Sequence, residues 1–190
     1  QIFEIARLDK SGDAISIAAV LQSTFERIDR LREREGRLTG LGTDYYDFDD
    51  MTGGLQAGEL IIIAARPSMG KTSFALNLTE RVASHGASVA FFSLEMSKEQ
   101  LVDRLFASML GVDSWKLQRG KLDDSDFQNM GPIMDELSKA NIFIDDSVAS
   151  SLPELRAKAR RLQMEHGLDL IVIDYLQLME SRGNMESRVQ

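Results

Sequence analysis

An α/β fold with a mostly parallel sheet flanked by helices is what this chain of 190 residues predicts, and three observations carry the prediction. Short apolar runs, "LIIIAA" at 60–65, "SVAFFSL" at 88–94, "NIFID" at 141–145 and "LDLIVID" at 168–174, are separated by longer helical patterns. Consecutive apolar residues are what strands covered on both faces require. Helices between successive strands return the chain to the same end of the sheet, so the strands run parallel. The helix boundaries also carry local chemistry. Ser97 with Gln100 and Ser151 with Glu154 fit capping boxes, and Gly86, Gly111 and Gly167 stand where helices should stop.

Taken in order, residues 15–35 place Ile17, Leu21, Phe25, Ile28 and Leu31 at steps of three and four, one face of a helix that Gly36 ends. The opposite face is rich in Arg and Glu. Two readings are open, a helix packed on its own domain and a helix docked on a neighbouring subunit. The linker-like "EGRLTGLGTDYYD" that follows it suits the second. We therefore expect a linker region at 1–40 and a larger domain at 41–190. In that domain "TSFALNLTERVASHG", "SKEQLVDRLFASMLG", two polar helical stretches and "SLPELRAKARRLQMEHG" supply the helices between the strands.

Composition sets limits on function. With 30 acidic against 22 basic residues the net charge is -8, which argues against coating nucleic acid by bulk electrostatics. A nucleic-acid site has to be local. There is no cysteine, which excludes disulfides and thiolate chemistry. The apolar runs fall far short of the roughly 20 residues that span a bilayer, so a soluble cytoplasmic protein without membrane contact is expected. Gln1 at the start and an end without a terminating element read as a piece of a longer chain, truncated on its C-terminal side. His85 and His166 precede helix-ending glycines, where a cation is favourable, and the nine methionines read as core filling.

The function lies in "ARPSMGKTS", residues 65–73. A loop that wraps a polyphosphate needs inward N–H groups, a helix N-terminus behind them, a lysine for the β/γ-phosphates and a hydroxyl for Mg²⁺. Ala65, Arg66, Pro67, Ser68, Met69, Gly70, Lys71, Thr72 and Ser73 meet that need, with Lys71 on phosphate and Thr72 on the metal. Only the opening glycine is replaced, by Ala65, which an extended backbone accommodates. Asp174 ends an apolar strand about 100 residues later, in the crevice where parallel sheets bind ligands, and can hold the Mg²⁺ water shell. Glu95, just past "SVAFFSL", emerges at the same edge and can polarise an attacking water; a helix-start carboxylate facing the dipole is the other reading. Gln177 is a candidate γ-phosphate sensor or a surface glutamine.

Taken together, "MTGGLQAGELIIIAARPSMGKTSFALN", "FFSLEMSKEQLVDRL" and "LIVIDYLQL" resemble successive motifs of the DnaB-type bacterial replicative helicases. "IFEIARLDKSGDAISIAAVL" is similar to the stretch that leads into that family's linker helix. The resemblance covers nearly the whole chain and includes the alanine that opens the phosphate loop. It implies a RecA-like P-loop ATPase core preceded by a linker helix, working as a homo-hexamer on single-stranded DNA with ATP and Mg²⁺. It also implies Lys71, Glu95 and Gln177 as catalytic groups, Thr72 and Asp174 as metal-side groups, and primase and a helicase loader as primosome partners. The family's DNA loops begin after the Asp174 strand, where Arg182, Gly183, Asn184 and Arg188 are candidates; a disordered tail is the other reading. The domain that binds primase and the part that supplies an arginine finger are missing from this chain. We therefore expect the fragment to bind ATP and turn it over slowly. A recombinase-type or clock-type RecA-like ATPase, or a switch that assembles without unwinding, is the alternative.

Overall fold

The computed structural model describes residues 16, 17, 21, 24, 25, 28, 29, 38–147 and 151–175. The chain divides into two compact units, Gln1–Thr39 and Gly40–Gln190. In the first, Ile17, Leu21, Phe25 and Ile28 are helical and exposed. Leu31 and Gly36 lie outside the described residues.

The second unit is a three-layer α/β arrangement. Its elements are α1 (Tyr46–Thr52), α2 (Lys71–Ser84), β1 (Val89–Ser93), α3 (Lys98–Leu110), α4 (Ser114–Gln118), α5 (Asp124–Lys139), β2 (Ile142–Asp145), α6 (Leu152–His166) and β3 (Leu170–Asp174). The strands lie in the order β2-β1-β3, and β1 pairs in parallel with both neighbours. Successive side chains of a strand point to opposite faces, and β1 uses both. Val89 and Phe91 pack with Leu78, Val82, Leu76 and Leu101 from α2 and α3. Ala90 and Phe92 pack with Leu155 and Ala159 of α6. Every residue of β1 is buried, which accounts for its unbroken apolar sequence.

Helix boundaries follow local chemistry. Gly70, at φ 87°, caps the start of α2, and Gly86 follows its end at φ 88°. The capping box predicted at Ser97 forms, with the Ser97 hydroxyl accepting from Gln100 N–H and the Gln100 side chain accepting from Ser97 N–H. Gly111 closes α3 in the left-handed conformation. The box predicted at Ser151 does not form; Glu154 turns along α6 to lie 3.6 Å from Lys158. A box that was not predicted starts α5, where Asp123 and Asp126 cap each other.

The run 60–65 departs from expectation. It belongs to no strand or helix among the described residues, and Leu60, Ile61, Ile62 and Ile63 are exposed. An apolar run sets a preference for extended backbone, but a strand needs a hydrogen-bonded neighbour, and among the described residues this run has none.

Residues 40–55 form a closed turn ahead of this run. Leu41 and Leu55 form an antiparallel bridge, and the buried Asp49 carboxylate accepts from Thr43 N–H at 2.9 Å, the Thr43 hydroxyl at 2.8 Å and Asp44 N–H at 3.0 Å. Arg81 of α2 donates to the Asp44 carbonyl at 3.1 Å, and His85 lies 2.9 Å from its carboxylate. The Tyr45 and Phe74 rings pack tilted at 34° with centroids 5.0 Å apart. The turn is thereby fastened to α2, the helix that follows the loop 65–70. Among the described residues, no helix is long and apolar enough to cross a membrane.

Candidate active site

The loop before α2 is exposed throughout 64–70, with Lys71 and Thr72 half-buried behind it. Met69 N–H donates to the Arg66 carbonyl at 3.2 Å, closing the turn. An added Cβ at Gly70 would meet nothing within 4 Å, so the positive φ and not crowding calls for glycine. Ser68 holds φ 65° without being glycine, a strained backbone of the kind found at ligand-binding turns. Ala65 has no positive φ, since Asp44 and Ser68 are the only non-glycine residues so placed among those described. Alanine therefore fits the position that glycine opens in the stricter loop. Phe74 N–H is the first to close the α2 ladder, onto Gly70, which leaves the N–H groups before it facing the loop.

Sheet register brings the second half of the site to this loop. Ser93 of β1 pairs with Asp174 at the end of β3, and Asp174 is 3% exposed. Its carboxylate accepts from the Thr72 hydroxyl at 2.6 Å and lies 3.0 Å from Lys71 Nζ. Two residues of the loop thus meet one carboxylate across a separation of 102 positions. A hydroxyl and a carboxylate are hard oxygen donors, the chemistry that Mg²⁺ takes. Among the described residues no three His, Asp or Glu side chains gather into a metal centre. A Mg²⁺ ion here would complete its shell with water and phosphate, its usual habit.

Glu95 is exposed on the turn that leaves β1. Leu94 N–H donates to the Asp174 carbonyl at 2.8 Å, so the turn starts at the exit of β3 and on the same edge as Lys71 and Thr72. Gln177, Arg182, Gly183, Asn184 and Arg188 lie outside the described residues. Two clefts, of about 250 and 340 Å³, are lined by residues such as Glu80 and Glu136 or Asn77 and Arg104, and neither includes Lys71 or Asp174.

Sequence reasoning missed Tyr175, whose ring lies 3.9 Å beneath Lys71 Nζ and holds the ammonium by a cation–π contact. Its place directly after Asp174 was the available signal. It also missed the carboxylates that end β2. Burial pushes the Asp145 carboxyl up, but hydrogen bonds from Ser147 and Lys158 outweigh it and hold the group below the usual range. Lys98 N–H is the main cause that lowers Asp146.

Comparison with known proteins agrees with this geometry. Residues 40–190 match the family described as the DnaB-like helicase C terminal domain. The replicative DNA helicase DnaB of Geobacillus stearothermophilus is 42% identical over 191 residues, covering 100% of this chain and 42% of that protein. The Pasteurella multocida protein of the same name is 45% identical over 179 residues, covering 91% of this chain and 38% of that protein. The chain thus spans less than half the length of these relatives. Among solved structures, the ATPase domain of G40P superposes with a TM-score of 0.83 at 31% identity, covering 93% of this chain and 62% of that one. A DnaB-like replicative helicase, determined with its interactions with primase, gives 0.79 at 30% identity, covering 98% of this chain and 45% of that one. A parallel sheet flanked by helices, Lys71 and Thr72 meeting the Asp174 strand and a match over four-fifths of the sequence place the chain in the DnaB-like helicase family, with a RecA-like ATPase fold.

Proposed function

We propose that this chain is the motor part of a longer replicative DNA helicase, which couples ATP hydrolysis to movement along single-stranded DNA and separation of the duplex. The observation that carries the proposal is the meeting of Lys71 and Thr72 with Asp174 at 3.0 and 2.6 Å. Lys71 binds the β/γ-phosphates, and the N–H groups ahead of α2 hold the phosphate oxygens. Thr72 and Asp174 hold Mg²⁺, which when bound neutralises charge on the phosphates. Glu95 orients and polarises the attacking water from the exit of β1. Gln177 senses the γ-phosphate, and Arg182, Gly183, Asn184 and Arg188 follow the DNA backbone. The complete protein works in the cytoplasm as a homo-hexamer, with its linker helix on the adjacent subunit and with primase and a loader as partners.

Titration of the chain with ATP and Mg²⁺, beside Lys71→Ala and Asp174→Asn, tests the site itself. A charge-assisted phosphate contact contributes about 1.5–3 kcal/mol, so Lys71→Ala is expected to weaken binding by roughly 10- to 150-fold. Equal affinity in wild type and Lys71→Ala would remove the basis of the proposal.

A further inference from the structure

The arc 94–97, which presents Glu95, is fixed at both ends to different strands. At its start, Leu94 N–H donates to the Asp174 carbonyl of β3 at 2.8 Å. Just past its end, Lys98 N–H donates to the Asp146 carboxylate at 3.0 Å, and Asp146 directly follows β2. Lys98 is the first residue of α3, and its N–H is one of the donors that a helix leaves without an internal partner. The Ser97–Gln100 box satisfies the neighbouring donors, and Asp146 takes this one. The Lys98 ammonium also lies 3.7 Å from the same carboxylate.

The interior of the arc is closed by one hydroxyl. Ser93, 2% exposed at the end of β1, donates to the Met96 carbonyl at 2.7 Å and accepts from Met96 N–H at 3.1 Å. Both bonds span Leu94 and Glu95 and draw residues 93 and 96 together, with Leu94 partly buried and Glu95 exposed at the sheet edge. Among the described residues, the backbone hydrogen bonds on the arc come from Ser93, Asp146, Asp174 and the cap of α3. None comes from the Glu95 side chain itself.

We propose that Ser93 and Asp146 are positioning residues for Glu95, Ser93 holding the arc from within and Asp146 tying its far end to the neighbouring strand. This rests on the role given to Glu95 above. A carboxylate that polarises water must be placed to a fraction of an ångström, and misplacement by about 1 Å costs up to a hundredfold in rate. Loss of either brace leaves the phosphate loop, Lys71, Thr72 and Asp174 in place. Its signature is a fall in kcat without a fall in nucleotide affinity.

The test is ATP turnover by a full-length helicase carrying this domain, together with binding of a non-hydrolysable ATP analogue, for Ser93→Ala, Asp146→Ala, Asp146→Asn and Glu95→Gln. Ser93→Ala and Asp146→Ala are expected to lower kcat about 10- to 100-fold, with KM and analogue affinity within about twofold of wild type. Asp146→Asn keeps an oxygen to accept from Lys98 N–H and is expected to recover most of the loss. If Ser93→Ala fails to fold, the Asp146 pair decides alone. Asp146→Ala with wild-type kcat, or with analogue affinity lost in proportion, or no recovery in Asp146→Asn, overturns the inference. Those outcomes leave Glu95 untouched, whereas turnover retained by Glu95→Gln removes the catalytic role on which the inference stands.

Discussion

Replacing Asp49 by alanine removes one buried carboxylate from the turn that fastens residues 40–55 to α2. Three donors lose their acceptor, namely Thr43 N–H at 2.9 Å, the Thr43 hydroxyl at 2.8 Å and Asp44 N–H at 3.0 Å. A hydrogen bond to a charged group contributes about 1.5–3 kcal/mol, so simple addition gives about 4.5–9 kcal/mol. Bonds within one network are not additive, and an opened turn admits water, which brings the expected loss to about 3–5 kcal/mol. That is a large share of the roughly 5–15 kcal/mol by which a domain is stable. Urea unfolding followed by circular dichroism measures it by linear extrapolation. Asp49→Asn retains one acceptor oxygen and is expected to lose about half as much. The proposed phosphate site is elsewhere, so nucleotide affinity under native conditions is expected to stay unchanged. A loss below about 1 kcal/mol for Asp49→Ala would refute the view that this carboxylate organises the turn.

Gly40→Ala would set a Cβ 2.3 Å from the Leu55 carbonyl oxygen, so the bridge between Leu41 and Leu55 must open. The expected cost exceeds the roughly 1 kcal/mol of an average substitution, and a Tm equal to wild type contradicts it. Phe91→Ala empties the centre of β1, where the side chain is fully buried, at an expected cost of about 3–5 kcal/mol in the same urea assay; a loss under about 1 kcal/mol would mean that the core is not built on it. Burial, then the charge of Glu136, raises the Glu80 pKa. A raised acid penalises folding at every pH above its folded pKa and has no effect below its unfolded pKa. Glu80→Gln therefore raises Tm at pH 7, and the gain vanishes as the pH falls through the raised value to the ordinary one. A gain that grows on acidification has the wrong sign.

The legible parts of the fold were those decided by neighbours in sequence. The alternation of apolar runs with helical stretches marked β1, β2, β3 and the helices between them, and Ser97 with Gln100 marked the start of α3. The box at Ser151 failed because its partner Glu154 faces Lys158 one turn on, and the box at Asp123 was overlooked because aspartate takes the place of the usual Glu or Gln. The run 60–65 has strand chemistry, yet pairing depends on a partner distant in sequence, and local pattern does not reveal that partner.

At the site, Lys71, Thr72, Glu95 and Asp174 were singled out in the sequence because phosphate chemistry asks for those groups at strand ends and loop positions, and the fold brings Lys71, Thr72 and Asp174 together. Their supports were not singled out. Tyr175 beneath Lys71 and Asp146 on Lys98 N–H depend on which strands lie side by side, which no local spacing encodes, whereas Ser93 closes onto Met96 only three residues on. Ser93 and Asp146 also look ordinary in sequence, one hydroxyl at the end of an apolar run and one of two adjacent acids.

The measurement that bears most directly on the proposed function is ATP turnover by a full-length protein carrying this domain, with and without single-stranded DNA, beside Glu95→Gln. The account predicts turnover that rises when DNA is added and disappears in Glu95→Gln while nucleotide binding persists. Turnover indifferent to DNA would contradict the motor and favour a nucleotide switch, and an active Glu95→Gln would contradict the placement of the catalytic carboxylate.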